Sequence, residues 1–165
     1  MRPTLLWLVP LALLLSAGCQ KQQVKKTMDT PLSDEQEASL RDKDYEAVAD
    51  LKTVLFDYDS ASLNPEARKI LSKNAEWLKK NKQVELRIEG HCDERGTTEY
   101  NLGLGQRRAN AVRDYYRTLG ISSKRMATIS FGQEQPVCSE TEESCWQCNR
   151  RGETLRKRDA NRRSS

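Results

Sequence analysis

The sequence has 165 residues, which is enough for one folded domain of about 100 residues with extensions at its ends. Charged residues make up 32% of the chain and the mean hydropathy is −0.82, which indicates a soluble domain joined to a polar linker or tail. The formal net charge of +4 falls to +3 once Arg2 leaves with a leader peptide. This charge is too small for strong steering toward nucleic acid, so we expect no nucleic-acid partner.

The first 18 residues have the features of an export signal. Arg2 gives a positive start, and an apolar run follows at residues 5–15. That run is shorter than the roughly 20 residues that span a bilayer, so it is typical of the apolar region of a signal peptide. We therefore assign residues 1–18 to a signal peptide. The alternative is an ordinary signal with cleavage near Ala17.

The stretch Ser16–Cys19 resembles the lipobox of bacterial lipoproteins, in which small residues precede a cysteine that receives a diacylglycerol. Lipidation at Cys19 is therefore expected. Several acyl chains would make a stable anchor, because each buried CH₂ contributes about 0.8 kcal/mol. The residue after Cys19 is Gln20 and not aspartate, which by the sorting rule of these lipoproteins implies the outer membrane, with the protein facing the periplasm.

Residues 19–50 are predicted to be a flexible tether. They are polar and mixed in charge, so they cannot bury enough apolar surface to offset chain entropy. A segment of about 30 residues has a typical end-to-end distance of roughly 30 Å. Ser33 with Gln36 predicts a short helix through Val48 within it. Residues 158–165 form a basic tail that is either solvated or in contact with phosphates.

Between these extensions, residues 51–157 are predicted to form one domain. Asn64 and Pro65 are a good helix start, Asn101 is a plausible N-cap for a second helix, and Gly120 would end that helix. The predicted elements are strand Val54–Phe56, helix Pro65–Asn81, strand Val84–Ile88, helix Asn101–Gly120, strand Met126–Phe131 and strand Gly152–Lys157. The order of the elements is β-α-β-α-β-β. The two helices must bury their apolar faces against one face of the sheet, which predicts a two-layer α+β sandwich.

An acid and a base are placed on either side of one loop in this domain. Asp93 follows the second strand and Arg108 lies in the second helix. A carboxylate and a planar guanidinium are the groups that would hold the ammonium and the carboxylate of a zwitterion. Backbone N–H groups near Gly96 would add capacity for an anion. The alternative is that Asp93 and Arg108 form a salt bridge or face water.

Two motifs carry a family resemblance. Gly90-His91-x-Asp93-x-x-Gly96 is followed by Asn101-x-x-Leu104-Gly105-x-Arg107-Arg108-Ala109, and together they resemble the OmpA-like peptidoglycan-binding domain. The fuller run Asp93–Thr97 with Glu99–Asn101 is similar to the peptidoglycan-associated lipoproteins (Pal) of that family. The resemblance covers about residues 54–155, or two thirds of the chain.

The resemblance implies a binding site for the meso-diaminopimelate of uncrosslinked peptidoglycan peptides, with Asp93 taking the side-chain ammonium and Arg108 the carboxylate. Phe56 is also implicated, with core packing as its alternative role. The remaining residues that the resemblance implicates are Asp57, Tyr58, Asp59, Glu94, Arg95, Gly96, Thr97, Asn101 and Leu104.

The resemblance further implies membership in the Tol-Pal envelope and cell-division system, with a TolB-like propeller protein docking on the same face. The alternative is a structural envelope lipoprotein that acts mainly as a protein-docking module. Neither interpretation requires a cofactor or an enzymatic activity. The sequence supplies no nucleophile beside a base, and His91, the only histidine, lacks the further ligands that a metal site needs.

Four cysteines remain after Cys19, and an exported chain can oxidise them. Relatives with a long loop before the last strand favour a Cys138–Cys145 bridge, which would stabilise the fold by about 2.5 kcal/mol. A redox pair of Cys145 and Cys148 is the alternative. Cys92 is expected in the core or on the sheet. The run after these cysteines, Asn149–Arg151, resembles the family's lead-in to the last strand, where Asn149 would steady the binding loop.

Overall fold

The computed structural model describes residues 44–158. The elements in chain order are strand β1 (Tyr45–Glu46), strand β2 (Val54–Leu55), helix α1 (Pro65–Lys80), strand β3 (Leu86–His91), helix α2 (Thr98–Thr118), a 3₁₀ turn (Ser123–Arg125), strand β4 (Met126–Gly132), helix α3 (Glu143–Asn149) and strand β5 (Arg151–Lys157). Among the helices of this part of the chain, none combines the length and the apolar character that crossing a membrane requires.

The strands form one five-stranded sheet in the order β1-β5-β3-β4, with β2 also pairing with β5. Strand β3 lies parallel to β4 and antiparallel to β5. Strand β3 pairs with one edge of β5. Both β1 and β2 therefore pair with the other edge, β1 at Lys157 and β2 at Gly152. Helices α1 and α2 pack over the sheet, so the predicted two-layer α+β sandwich is confirmed.

The core lies between the two helices and the sheet. Apolar residues recur at helical spacing along α1 and α2, which gives each helix one buried face, whereas all six residues of β3 are buried. The largest fully buried apolar side chains of this core are Val54, Phe56, Leu71, Leu78, Leu86, Ile88, Val112 and Tyr116.

The predicted signals for the ends of the helices are partly confirmed. Asn64 caps α1, because its Oδ1 accepts a hydrogen bond from the backbone N–H of Ala67 at 2.8 Å. Gly120 follows the end of α2 with a φ of +86°, as expected for a glycine that terminates a helix. The prediction that Asn101 caps α2 is wrong. Thr97 is the N-cap, and its hydroxyl accepts from the N–H of Tyr100 at 3.2 Å.

The folded domain extends further toward the N-terminus than predicted. Tyr45 and Glu46 form β1 on the edge of β5, so the expected helix through Val48 is wrong at these residues. Arg156 donates to Glu46 through Nη2 at 2.6 Å, which holds this short strand in place. The signal peptide and residues 19–43 of the predicted tether, which include Cys19, Ser33 and Gln36, lie outside the described residues. Most of the basic tail, residues 159–165, does as well.

Two glycines bring β3 and α2 into direct contact. A Cβ atom on Gly90 would lie 1.8 Å from the carbonyl oxygen of Gly105, and one on Gly105 would lie 2.3 Å from the Oγ of Ser130. The main chains of the strand and the helix therefore touch where the loop of residues 92–97 begins. This contact fixes the distance between the end of β3 and the helix that carries Arg108.

Candidate functional site

A small cavity of about 110 Å³ opens where β3 ends and α2 begins. Three stretches that are distant in sequence form its wall: the turn after β2, the loop between β3 and α2 together with the first half of that helix, and the residue before β5. Its lining residues are Tyr58, Asp59, Cys92, Asp93, Arg95, Gly96, Tyr100, Asn101, Leu104, Arg108 and Arg150.

Arg108 forms the floor of the cavity and has no exposed surface. Its Nε donates to the carbonyl of Ser60 at 2.8 Å, Nη1 to the carbonyl of His91 at 2.7 Å, and Nη2 to the carbonyl of Asp57 at 3.1 Å. Nη1 also lies 3.5 Å from the sulfur of Cys92. Burial lowers the pKa of Arg108. A guanidinium nevertheless stays charged in proteins, so this is a fixed positive charge.

These contacts change the expected role of Arg108. A guanidinium has five N–H groups, and the four hydrogen bonds above use four of them. The sequence predicted a free planar fork for a ligand carboxylate. In the structure, two parallel hydrogen bonds from Arg108 to a ligand would require breaking at least one internal bond. Arg108 can offer its charge and one N–H group.

Asp93 lies beside Arg108 and is 4% exposed. Its Oδ2 accepts from Nη2 of Arg95 at 2.7 Å and from Nη1 of Arg150 at 3.3 Å, and its Oδ1 accepts from the backbone N–H of Arg95 at 3.1 Å. Burial raises the pKa of Asp93, but the hydrogen bonds from Arg95 and Arg150 outweigh that effect, so its pKa lies below the usual value. The cavity thus holds an ionised carboxylate.

The lowered pKa of Asp93 predicts a pH dependence of stability. A carboxylate whose pKa is lower in the folded state stabilises the fold above its unfolded pKa of about 3.9, and this contribution is lost as the pH falls through the folded pKa. We expect the difference in melting temperature between wild type and Asp93→Asn to stay constant from about pH 8 to pH 5 and to narrow below about pH 4. A difference that stays constant down to pH 2 would contradict this account.

Arg95 covers Asp93 from the solvent side. Its guanidinium lies between two aromatic rings, 4.0 Å from the ring centroid of Tyr58 and 4.2 Å from that of Trp146. Glu143 approaches the same guanidinium at 3.7 Å. The side chain of Arg95 is 29% exposed, so it is the lining cation that reaches toward solvent, whereas Arg108 and Arg150 are buried.

The loop between β3 and α2 is held by Asn101. Its Nδ2 donates to the carbonyls of Asp93 at 3.3 Å and Arg95 at 3.0 Å and to Oε1 of Gln133 at 2.5 Å. Burial raises the pKa of Cys92, and the protonated thiol donates to the carbonyl of Asn101 at 3.3 Å. From the first turn of α2, the side chain of Asn101 therefore holds the loop in place, and for this reason it does not cap the N-terminus of α2.

The segment before β5 supplies the other wall. A disulfide joins Cys138 and Cys145, the pair that the resemblance favours, while Cys148 is exposed and unpaired and Cys92 is buried. Asn149 is buried and bridges this segment, because its Oδ1 accepts from the N–H groups of Val137 and Cys138. The stretch that was predicted to be a loop contains helix α3, and this helix carries Trp146 and Glu143 to Arg95.

The structure brings most of the predicted site residues to the cavity. Asp93, Arg108, Tyr58, Asp59, Arg95, Gly96, Asn101 and Leu104 line it. Four others lie behind or beside it. Phe56 is buried in the core, with its ring 5.2 Å from the guanidinium of Arg108, and Asp57 contributes its carbonyl. Thr97 caps α2, and Glu94 accepts a hydrogen bond from Trp146.

Three lining residues were not predicted: Cys92, Tyr100 and Arg150. The hydroxyl of Tyr100 donates to the carboxylate of Asp59, which joins α2 to the turn after β2 and raises the pKa of Tyr100. Arg150 is buried and bonds to Asp93, Glu143 and the carbonyl of Phe56. The Asn149–Arg151 motif could have indicated that Arg150 belongs to the site. The sequence does not show, however, that the side chain of Arg150 points toward Asp93.

Comparison with known proteins decides the family. The OmpA family matches residues 55–150, which include the loop, both helices that cover the sheet and the disulfide segment. The chain belongs to the OmpA family. All residues that line the cavity lie within the matched part of the chain.

Individual members of the OmpA family support this assignment. A protein of Brucella melitensis named peptidoglycan-associated lipoprotein is 49% identical over 102 residues, and one of the same name from Pseudomonas aeruginosa is 44% identical over 110 residues. The matches cover 62% and 67% of this chain. They span 61% and 65% of those proteins, which is less than two thirds of their length.

Two solved structures share the fold. The peptidoglycan-associated lipoprotein from Burkholderia pseudomallei has a TM-score of 0.62 at 41% identity, over 64% of this chain and 89% of that one. The C-terminal domain of Helicobacter pylori MotB also has a TM-score of 0.62, at 20% identity and over 67% and 89% of the two chains. The second likeness concerns the fold alone.

Proposed function

We propose that this protein binds peptidoglycan non-covalently through the meso-diaminopimelate of the peptide stem. The observation that carries the proposal is the ionised carboxylate of Asp93 in a small cavity above the buried charge of Arg108. The free end of meso-diaminopimelate has an ammonium and a carboxylate on one carbon. That pair of charges fits an acid and a base at the bottom of one cavity. Relatives named peptidoglycan-associated lipoprotein support an association with peptidoglycan.

Within this proposal the two charged residues have different tasks. Asp93 accepts the ammonium of the ligand, and Arg108 attracts its carboxylate through a fixed charge and one remaining N–H group. Because Arg108 is held by the carbonyls of Asp57, Ser60 and His91, its charge needs no reorganisation when the ligand binds. Tyr58, Gly96 and Leu104 shape the rest of the cavity.

The chain would perform this binding at the outer membrane. Lipidation at Cys19 would anchor it there, and the segment before Asp44 would allow the domain to reach the cell wall from the bilayer. The protein would then tether the outer membrane to peptidoglycan and take part in the Tol-Pal envelope and cell-division system. The relatives named lipoproteins support the anchor.

A second candidate function is protein docking on the same face, for example by a TolB-like propeller. The aromatic side chains of Tyr58 and Tyr100 at the rim of the cavity are 60% and 47% exposed, which favours an additional contact there. We propose binding and not catalysis. His91 pairs with Glu89 at 3.1 Å and stacks on Phe131.

Co-sedimentation with purified peptidoglycan tests the proposal. The full chain in detergent is expected to pellet with peptidoglycan that contains meso-diaminopimelate, and Asp93→Asn is expected to weaken binding by about 2 kcal/mol or more, because it removes one partner of a poorly solvated charge pair. Asp114→Asn is the matched control, since Asp114 is an exposed acid on α2 that pairs with Arg113 and Arg117. It should bind like wild type.

Three results would distinguish the candidates. If wild type pellets and Asp93→Asn stays in solution, the peptidoglycan proposal stands. If wild type stays in solution, the proposal is wrong and protein docking becomes the leading function. If Asp93→Asn pellets as well as Asp114→Asn does, the protein binds peptidoglycan through another surface.

A further inference from the structure

Arg95 blocks the position that the ligand's ammonium would take. Its Nη2 lies 2.7 Å from Oδ2 of Asp93, and its backbone N–H occupies Oδ1 of the same carboxylate. Oδ2 also accepts from Nη1 of Arg150 at 3.3 Å, so an ammonium would be a third cation at that atom and would be repelled by the other two. Under the proposed function, ligand binding therefore requires the guanidinium of Arg95 to leave Asp93.

The surroundings of Arg95 determine where its guanidinium goes. The ring centroids of Tyr58 and Trp146 lie 4.0 and 4.2 Å from its Cζ atom, and cation–π contacts of this kind do not depend on Asp93. A guanidinium between two rings can slide in its own plane while keeping both contacts. On leaving Asp93 it would stay at the mouth of the cavity, within reach of the ligand's carboxylate.

Trp146 owes its position to the disulfide segment. Cys145 precedes it in α3 and is bonded to Cys138, and the indole Nε1 donates to Oε1 of Glu94 at 3.1 Å. Glu143, one turn earlier, accepts from Nη2 of Arg150 at 2.6 Å, which fixes the start of α3 against the buried side of the cavity. The disulfide, the hydrogen bond from Trp146 to Glu94 and the hydrogen bond between Glu143 and Arg150 therefore hold α3 and its indole ring beside Arg95.

Arg108 alone does not account for strong recognition of a carboxylate, because four of its N–H groups have internal partners. Arg95 has the free reach that Arg108 lacks. We propose that Trp146 and Tyr58 are positioning residues that hold Arg95 at the cavity mouth, where it recognises the free carboxylate of a zwitterionic ligand. This inference rests on the proposed function and adds to it the residue group that sets ligand specificity.

Recognition of the carboxylate by Arg95 restricts the ligand class further than the charges of Asp93 and Arg108 do. A ligand with ammonium and carboxylate on one carbon would satisfy both Asp93 and the displaced Arg95. A ligand with a side-chain amine but no carboxylate would displace Arg95 from Asp93 and give it no new partner. Stem peptides with meso-diaminopimelate should therefore bind more tightly than stem peptides with lysine at the same position.

Calorimetric titration of the full chain in detergent tests this preference. The two probes are soluble muramyl tripeptides that differ only in carrying meso-diaminopimelate or lysine as the third residue. Wild type should prefer the diaminopimelate peptide by about tenfold or more, as expected for one hydrogen bond between charged groups. Trp146→Ala should reduce this preference at least threefold, mainly by weakening binding of the diaminopimelate peptide.

Two further variants separate positioning from general structural damage. Trp146→Phe keeps a ring over Arg95 but removes the hydrogen bond to Glu94, so it should retain the wild-type preference. Arg95→Gln should lose the part of the preference that Arg95 supplies and keep the part that is due to the charge of Arg108. Adding Trp146→Ala to it should cause no further loss, because both changes act on the same contact.

The possible outcomes are unambiguous. A Trp146→Ala protein that binds both peptides more weakly by the same factor has a structural defect, and this would overturn the inference while leaving the proposed function intact. An unchanged preference in Trp146→Ala would overturn it as well. Wild type that binds neither peptide would refute the proposed function and this inference together.

Discussion

Replacing Arg108 by alanine is expected to lower the free energy of unfolding by roughly 3 to 5 kcal/mol. The guanidinium is fully buried, joins the turn after β2 to the end of β3 through three main-chain carbonyls, and packs over the ring of Phe56. Alanine would leave those carbonyls without their donor and a cavity beneath them. Thermal denaturation of the full chain, followed by circular dichroism, would show a large drop in melting temperature.

Arg107→Ala is the matched control for this variant. Arg107 is the neighbouring residue in α2 but is exposed, and its one described contact is with the ring of Tyr100 at 5.7 Å. Truncation of such a surface side chain should change stability by no more than about 0.5 kcal/mol. Equal effects of the two substitutions would show that Arg108 is not the internal support described above.

The stability effect matters for interpreting binding experiments. A variant at Arg108 that fails to bind peptidoglycan has lost both a charge and the geometry of two segments, so its loss of binding does not identify a ligand contact. Asp93→Asn is more informative, because an amide has nearly the size of the carboxylate and its oxygen, placed where Oδ2 lies, can still accept from the guanidinium groups of Arg95 and Arg150. Its NH₂ group cannot replace Oδ1 as the acceptor of the backbone N–H of Arg95.

The sequence predicted the elements of the fold well where a strong local pattern was present. Asn64 and Pro65 marked the start of α1, and the alternation from Val84 to Ile88 marked β3. It failed where tertiary contacts decide the outcome. β1 is two residues long and is held by pairing with β5, more than 100 positions later, which no local pattern reveals. Asn101 has the chemistry of a cap, but burial beneath the loop gives its amide other partners.

In the candidate site, too, local motifs were predictable and tertiary contacts were not. Asp93 and Arg108 are predictable because each lies in one of the two family motifs, and both line the cavity. The partners that determine their behaviour come from elsewhere in the chain. Trp146 and Arg150 reach the loop from more than 50 positions away. The side-chain directions that make Arg108 an internal support and Arg95 the accessible cation depend on packing that the sequence does not display.

Gly90→Ala is expected to destabilise the fold by about 3 kcal/mol or more, because the new methyl group would lie 1.8 Å from the carbonyl oxygen of Gly105 and only a movement of α2 away from β3 could relieve the clash. The same movement would shift Arg108 relative to Asp93. Gly103→Ala is the control: its methyl group would meet only the Nη1 of Arg107 at 3.5 Å, and alanine favours a helix by about 0.5 to 1 kcal/mol. Melting temperatures should therefore move in opposite directions, and a fall of similar size in both would show that the contact between β3 and α2 does not require a glycine at position 90.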